Sequence, residues 1–467
     1  MSMRAFDEQD TIVAVATPPG HGALGVVRLS GPEAWAVCRG LVRFPAGRRF
    51  KPRPWRAYYG KAVLEGGALE LDQVVAVFFA APKSYTGQEM VELTCHGNPA
   101  VLARLAEEAA ALGARPADAG EFSLRAHLNG KLDLVQAEAV DALIRAGSLG
   151  EALNAMAALG GRPSRMVAGA RERLEEQLAW LEAAIEFPED LGSDDPAGGI
   201  GAVLRGEEAE LAGMSREFKR TRLLREGVRV TLAGRPNAGK SSIFNRLLRK
   251  KRAIVTSSPG TTRDLLEAEY HAGLVRVRLF DTAGLGAARS RAEESGQRRS
   301  RRALARSEVP LVVLDASRPL GLKDRELCTG PRARQGLVLL NKVDLADPAG
   351  CLERLGRWGV EEVLAVSART GRGFKFLERR LAEKVDGVWQ RTAGEDGGFM
   401  VNLRQRRLLD TARRELGGAR RTLAAGNGEE VAAHHLRRAV EALDGFTGRQ
   451  LPDRLLQRIF GQFCIGK

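Results

Sequence analysis

The feature that most restricts what this chain can fold into is Gly234-Arg235-Pro236-Asn237-Ala238-Gly239-Lys240-Ser241. It matches the phosphate-loop pattern G-x-x-x-x-G-K-[ST]. An apolar run at 228–233 precedes it and reads as a strand, and 242–248 reads as a helix. The glycines let the backbone wrap phosphates, while the exposed N–H groups and the helix N-terminus favour anions. Lys240 is expected to reach the β- and γ-phosphates and act in catalysis, and Ser241 to ligate Mg²⁺. Strands are expected again at 274–280, 310–315, 337–341 and 362–366. Strands alternating with helical stretches from 228 to about 385 read as a doubly wound, P-loop α/β domain.

The base-reading signals point to guanine. Asn341-Lys342-Val343-Asp344 follows an apolar strand. A carboxylate there accepts from both N1 and N2 of guanine, a donor pair that adenine lacks. Ser367-Ala368-Arg369 after the last strand resembles a guanine-supporting loop. In Asp281-Thr282-Ala283-Gly284 the acid suits the Mg²⁺ shell and the glycine amide suits the γ-phosphate. Thr256-Ser257-Ser258-Pro259-Gly260-Thr261-Thr262 falls where a switch threonine, here Thr262, ligates Mg²⁺. Asn237, Ala238, Gly239, Lys240, Ser241 and Ser242 complete the expected nucleotide set. Each tetrapeptide is weak alone; their common order, each at a strand's C-terminal end, makes a GTPase.

The 467 residues are more than one domain usually takes. Residues 10–131 mix short β-branched runs, at 11–15 and 74–79, with a helix at 99–112 closed by Gly113. Helical periodicity fills 132–226, through Leu134, Ala137, Val140 and Leu143, then Leu174, Leu178, Leu181 and Ile185, with a loop signal at 192–199. It returns after 398, at 403–412, 431–443 and 455–460. A helical block on either side of the α/β stretch suggests one helical domain carrying an insertion; two separate bundles would leave the same pattern. Expected limits are 1–131, 132–226, 227–389 and 390–467. The net charge of +14 suits a polyanion such as RNA, or a solvated surface. Cys38, Cys95, Cys328, Cys351 and Cys464 form no metal-ligand spacing and read as reduced thiols of a cytoplasmic protein. No signal peptide and no membrane-spanning apolar stretch is seen.

Outside the α/β stretch the chain resembles the tRNA-modification GTPases known as MnmE or TrmE. The carriers are the opening at 10–20, the runs at 24–31, 85–93, 96–97, 120–123 and 129–139, and the ending Phe463-Cys464-Ile465-Gly466-Lys467. The resemblance spans the whole chain. It implies an α+β N-terminal domain that binds a 5-formyl- or 5,10-methylene-tetrahydrofolate and makes a homodimer, then a helical domain with an inserted Ras-like P-loop GTPase domain. It also implies a flavoprotein partner, MnmG (GidA), and an aminomethyl or carboxymethylaminomethyl group built on C5 of the wobble uridine in certain tRNAs. Arg28, Glu92, Lys131 and Lys467 match the folate-contacting positions; without that match the first three would read as solvated charges. Phe460, Phe463 and Ile465 read as apolar anchors that fold the tail back onto the protein, and by the same resemblance Cys464 lies near the one-carbon chemistry.

Leu285 stands where Ras-like enzymes place a water-orienting glutamine. With Asn237 in the phosphate loop, this resembles GTPases activated by K⁺. Asn237, Thr256, Ser258 and Thr261 would hold the ion, and Glu293 would position the attacking water, with Glu294 as rival. Gly286 departs from the arginine common at its place. The basic run 298–306 reads as a solvated helix face or a tRNA contact, and His434–His435 as a helix surface pair. The competing function is a ribosome-assembly regulatory GTPase of the Era or EngA type that binds rRNA without modification chemistry.

Overall fold

The computed structural model describes residues 10–45, 50–64, 68–187, 196–250, 266–272, 275–281, 307–331, 333–392, 398–425, 428–449 and 451–466. The chain divides into two compact units. Met1–Asp141, Ala158–Ala212 and Arg407–Lys467 form the first; Ala142–Ala157 and Gly213–Arg406 form the second.

The first unit holds seven strands: β1 (Ile12–Val15), β2 (Gly22–Ser30), β3 (Val42–Arg43), β4 (Ala57–Leu64), β5 (Leu69–Phe79), β6 (Met90–Gly97) and β7 (Arg115–Pro116). They form one sheet in the order β3-β4-β5-β6-β2-β1-β7, antiparallel except where β7 joins β1. Successive side chains alternate between its faces. Val27, Leu29, Val91 and Leu93 face a core with the helices Ala34–Leu41 and Pro99–Ala111. Arg28 and Glu92 point the other way, directly opposite each other on β2 and β6. The helix Pro99–Ala111 begins as its sequence suggests: the Asn98 side chain accepts from the Ala100 amide, and proline takes the first turn.

Helices complete the unit. Arg162–Glu186 packs along Glu429–Thr447, and Arg171 bonds Asp444 at 2.6 Å. These helices flank the α/β stretch in sequence yet pack on each other, as one interrupted helical domain requires and two separate bundles would not. The helix after the 192–199 loop signal already begins at Pro196. Of the two histidines read as a surface pair, His434 is exposed, but His435 is half-buried and bonds Glu415 at 2.7 Å. That bond holds the Glu415 carboxyl below the usual range.

The second unit carries β8 (Val228–Ala233), β9 (Leu266–Ala272), β10 (Val275–Asp281), β11 (Val309–Asp315), β12 (Leu337–Asn341) and β13 (Val363–Ala365), in the order β13-β12-β11-β8-β10-β9. All neighbours are parallel except β9 with β10. All seven residues of β11 are buried, as expected of a strand covered on both faces. One face packs on Lys240–Lys250 and Phe374–Thr392 through Ile243, Phe244, Leu247, Leu377 and Leu381. The other packs on Leu322–Thr329 and Ala349–Arg357 through Cys328 and Leu355. Edge strand β9 is absent from the sequence reading. Its buried period-two positions are Ala268, Tyr270 and Ala272, and one large side chain between two alanines makes a weak apolar stripe.

No helix among the described residues is long and apolar enough to cross a membrane. All five cysteines are unpaired.

Candidate functional site

The phosphate loop leaves β8 and enters the helix Lys240–Lys250. Gly234 lies against β11, where a Cβ would meet the Val313 carbonyl oxygen at 2.2 Å, so a side chain has no room. Asn237 adopts φ +62°, a left-handed value that asparagine tolerates better than most residues. Lys240 is 6% exposed, and its ammonium donates to the Gly234 and Arg235 carbonyls at 3.0 and 2.9 Å. Burial draws its pKa below the ordinary lysine value, against the opposing pull of Asp281. Ser241 Oγ donates to Asp281 Oδ2 at 2.6 Å, and Asp281 is fully buried at the end of β10. A hydroxyl and a carboxylate converging beside the loop are hard oxygen donors of the kind Mg²⁺ takes.

The residues expected to read the base lie at the ends of β12 and β13. Asn341 is 2% exposed; its Nδ2 donates to the Ala238 carbonyl at 2.9 Å, and its Oδ1 accepts from the Ala368 amide at 3.1 Å. It therefore ties the phosphate loop to the Ser367–Ala368–Arg369 loop. Arg246 adds a second tie, donating to the Ala368 and Arg369 carbonyls at 2.8 and 2.9 Å. Lys342 stands at φ +68° and donates to Asp315 Oδ2 at 2.7 Å. Burial by itself would raise the Asp315 carboxyl, but hydrogen bonds from Lys342 and Ser317 outweigh it and hold it low. Asp344 is exposed, and the Ser367 hydroxyl keeps its carboxyl below the usual range.

Ser241, Asp281, Lys240, Asn341, Lys342, Asp344 and the 367–369 loop thus lie beyond the C-terminal ends of the parallel strands, with Ser242 exposed in the first helical turn. Thr256, Ser257, Ser258, Pro259, Gly260, Thr261, Thr262, Thr282, Ala283, Gly284, Leu285, Gly286, Glu293, Glu294, the basic run 298–306 and Lys467 lie outside the described residues. The sequence reading missed Asp315 and Arg246. Asp315 had a legible signal, since it ends a strand whose parallel register sets it beside Asn341.

The first unit carries a second polar cluster, on the outer face of its sheet. Arg28 Nε and Nη2 donate to one oxygen of Glu92 at 2.9 and 2.7 Å, and Nη1 donates to the Gly466 carbonyl at 2.9 Å. The guanidinium lies 5.7 Å from the ring centres of both Tyr85 and Phe122. Lys131, on the surface, donates to the Pro82 carbonyl at 3.0 Å. The chain's last residues fold back here. Phe460 and Phe463 pack with Leu124, Leu134 and Leu456, and the Cys464 carbonyl accepts from the Gly120 amide at 3.3 Å. Gly466, at φ +85°, leaves no space for a Cβ, which would lie 2.8 Å from Ala16 Cα. Ile465 is not an anchor: it is 64% exposed. Beyond Phe463 the tail is held by its backbone carbonyls, so that side chain is free to face solvent.

Residues 11–131 match the family model for the N-terminus of the GTP-binding protein TrmE, and residues 134–464 match that for the MnmE helical domain. A tRNA modification GTPase MnmE from Symbiobacterium thermophilum is 43% identical, over 98% of this chain and 100% of its own. Its counterpart from Koribacter versatilis is 39% identical, over 98% and 99%. That from Thermotoga maritima is 37% identical, over 98% and 100%. Matched by family models from residue 11 to residue 464, and by relatives along nearly its whole length, the chain belongs to the MnmE family of tRNA modification GTPases.

Proposed function

We propose that this chain is a K⁺-activated GTP hydrolase of the cytoplasm. With a flavoprotein partner of the MnmG (GidA) kind, it serves aminomethyl or carboxymethylaminomethyl modification of the wobble uridine in certain tRNAs. The observation that carries the reading is the guanine nucleotide constellation in a chain whose other unit supplies the Arg28–Glu92 cluster and a folded-back tail. A ribosome-assembly switch has no use for the second cluster, and the whole-length relatives do not favour that alternative.

In this reading Lys240 holds the β- and γ-phosphates, the loop amides orient them, and Asp344 selects guanine. Ser241 and Asp281 suit Mg²⁺, with Thr262 as a further ligand, and the ion neutralises charge between the phosphates. K⁺ would be held by Asn237, Thr256, Ser258 and Thr261, and supplies the positive charge that an arginine finger gives elsewhere. Hydrolysis in KCl is expected to exceed that in NaCl at equal ionic strength by about tenfold or more. Equal rates in the two salts would remove K⁺ from the mechanism.

Glu293 orients the attacking water. Glu293→Ala is expected to slow single-turnover hydrolysis by about 10²-fold at unchanged nucleotide affinity. A normal rate, with a slow Glu294→Ala, moves the assignment one residue along.

Arg28, Glu92, Lys131 and Lys467 would hold a tetrahydrofolate, which when bound would supply the carbon added to the base. A cation, a carboxylate and two flanking rings match a ligand with a flat polar ring and an anionic tail. Arg28 already has Glu92 and Gly466 as partners, so it also shapes the site by holding the tail. Cys464 is half-buried beside this cluster and contributes its thiol to the one-carbon chemistry. Cys464→Ser is expected to keep GTP hydrolysis and the melting temperature while abolishing the modified uridine, read by mass spectrometry of tRNA nucleosides from complemented cells. Full modification by that variant leaves Cys464 a packing residue only. The homodimer and the four-part division at 131, 226 and 389 belong to the same reading; light scattering of the intact protein tests the first, and limited proteolysis the second.

A further inference from the structure

Residues 50–56 take no part in either cluster. The Phe50 ring stacks on Phe44 with centres 3.9 Å apart and meets Tyr58 edge-on at 4.9 Å. The Arg53 amide donates to the Tyr58 hydroxyl at 2.8 Å, and the Trp55 amide donates to the Phe78 carbonyl at 2.8 Å. The segment is therefore fastened from beneath, and what it presents outward is held in place. It presents Lys51, Arg53 and Arg56, all exposed, and Trp55, which is 60% exposed.

Two features set this surface apart. Trp55 adopts φ +63°, a strained backbone for a bulky L-residue, and strain of this kind persists where a function needs the geometry. The charges are also uncompensated. Several other cations of this sheet meet acids: Arg28 meets Glu92, Arg43 and Lys61 meet Glu70, and Arg115 meets Asp10. Lys51, Arg53 and Arg56 have no carboxylate partner among the described residues.

The position is specific. Trp55 stands edge-on to Phe79, with ring centres 5.0 Å apart. Phe79 follows Val77 by two residues on β5, so it shares the outer face and lies about 7 Å along the strand. Val77 sits directly opposite Glu92. The indole therefore packs on the same face of the sheet as the Arg28–Glu92 cluster, further along β5.

We propose that Trp55, with Lys51, Arg53 and Arg56, is a docking strip for single-stranded RNA. An unpaired base stacks on the indole, and the phosphates flanking it lie on the three cations. Any base offers a π-face for this, whereas a paired stem has its bases closed off. The inference rests on the tRNA reading and names which surface takes an unpaired loop.

The test is fluorescence anisotropy of a labelled anticodon stem-loop with the full-length protein, beside a blunt RNA duplex of equal length. Trp55→Ala is expected to weaken stem-loop binding by about 5- to 150-fold, while Trp55→Phe keeps most of it. Arg53→Glu is expected to flatten the dependence of log K on log salt by about 0.7 for each phosphate no longer neutralised. Duplex binding by Trp55→Ala should equal wild type, and GTP hydrolysis and melting should be unchanged in all three variants. If wild type binds the stem-loop and neither Trp55→Ala nor Arg53→Glu weakens it, the strip is wrong and the tRNA reading stands. If only Arg53→Glu weakens it, the surface is a general anion contact and the stacking claim is overturned. If wild type hydrolyses GTP yet binds no stem-loop, the strip is overturned, while membership of the tRNA modification GTPases, which rests on the whole-length relatives, stands.

Discussion

Lys240→Ala is expected to slow single-turnover GTP hydrolysis by about 10²–10³-fold, the loss seen when one preorganised donor to a developing oxyanion is removed. The side chain is 6% exposed and held by two carbonyls of its own loop, so its direction is set before any nucleotide arrives. Little rearrangement is then needed as charge builds on the phosphates, which is what makes such a donor effective. Nucleotide affinity should fall as well, by about 10- to 10²-fold, because a hydrogen bond to a charged group contributes about 1.5–3 kcal/mol. The larger loss in rate than in affinity is the signature of an interaction that strengthens in the transition state. Hydrolysis at the wild-type rate by a folded Lys240→Ala protein would remove this residue from catalysis.

Asp344→Asn is expected to weaken GTP binding by about 10²–10⁴-fold, since two charge-assisted hydrogen bonds to N1 and N2 are removed or reversed. The same change should raise affinity for xanthosine triphosphate, whose C2 oxygen can accept from the new amide. Asp344 is exposed and bonded by the Ser367 hydroxyl, which an asparagine oxygen can also accept, so melting should stay near wild type. Competition of GTP and xanthosine triphosphate for a fluorescent guanine nucleotide reads both effects. Unchanged preference for GTP would mean that another group reads the base.

These two substitutions act on residues that local sequence could identify. A phosphate loop needs its glycines, lysine and serine within eight positions, and the strand before it and helix after it are set by nearby apolar spacing. Val228–Ala233 and Leu337–Asn341 are strands with the bounds their sequence suggested. The N-terminal runs likewise pointed to the family from short stretches of chain.

What the sequence determined by itself was what contiguous residues carry: the phosphate loop with its flanking strand and helix, and the strands at 228–233 and 337–341; that the two helical blocks pack on each other was decided by the tertiary structure. Only the tertiary structure decided the contacts that depend on register and on chain reversal. Arg28 meets Glu92 because β2 and β6, 64 residues apart at that point, pair antiparallel with those two positions opposite. A slip of one residue between the two strands would have put these side chains on opposite faces of the sheet. Arg28 reaches the Gly466 carbonyl across 438 residues, and Asn341 joins Ala238 to Ala368 across 103 and 27. Edge strand Leu266–Ala272 pairs along β10, and its own buried stripe, Tyr270 between two alanines, is too weak to announce it. Ile465 reads as a core residue, yet the tail is fastened by carbonyl oxygens at Gly120 and Arg28, so its side chain is left in solvent. Composition and spacing carry apolarity and charge, but which atoms of a segment meet a partner is decided where distant backbones cross.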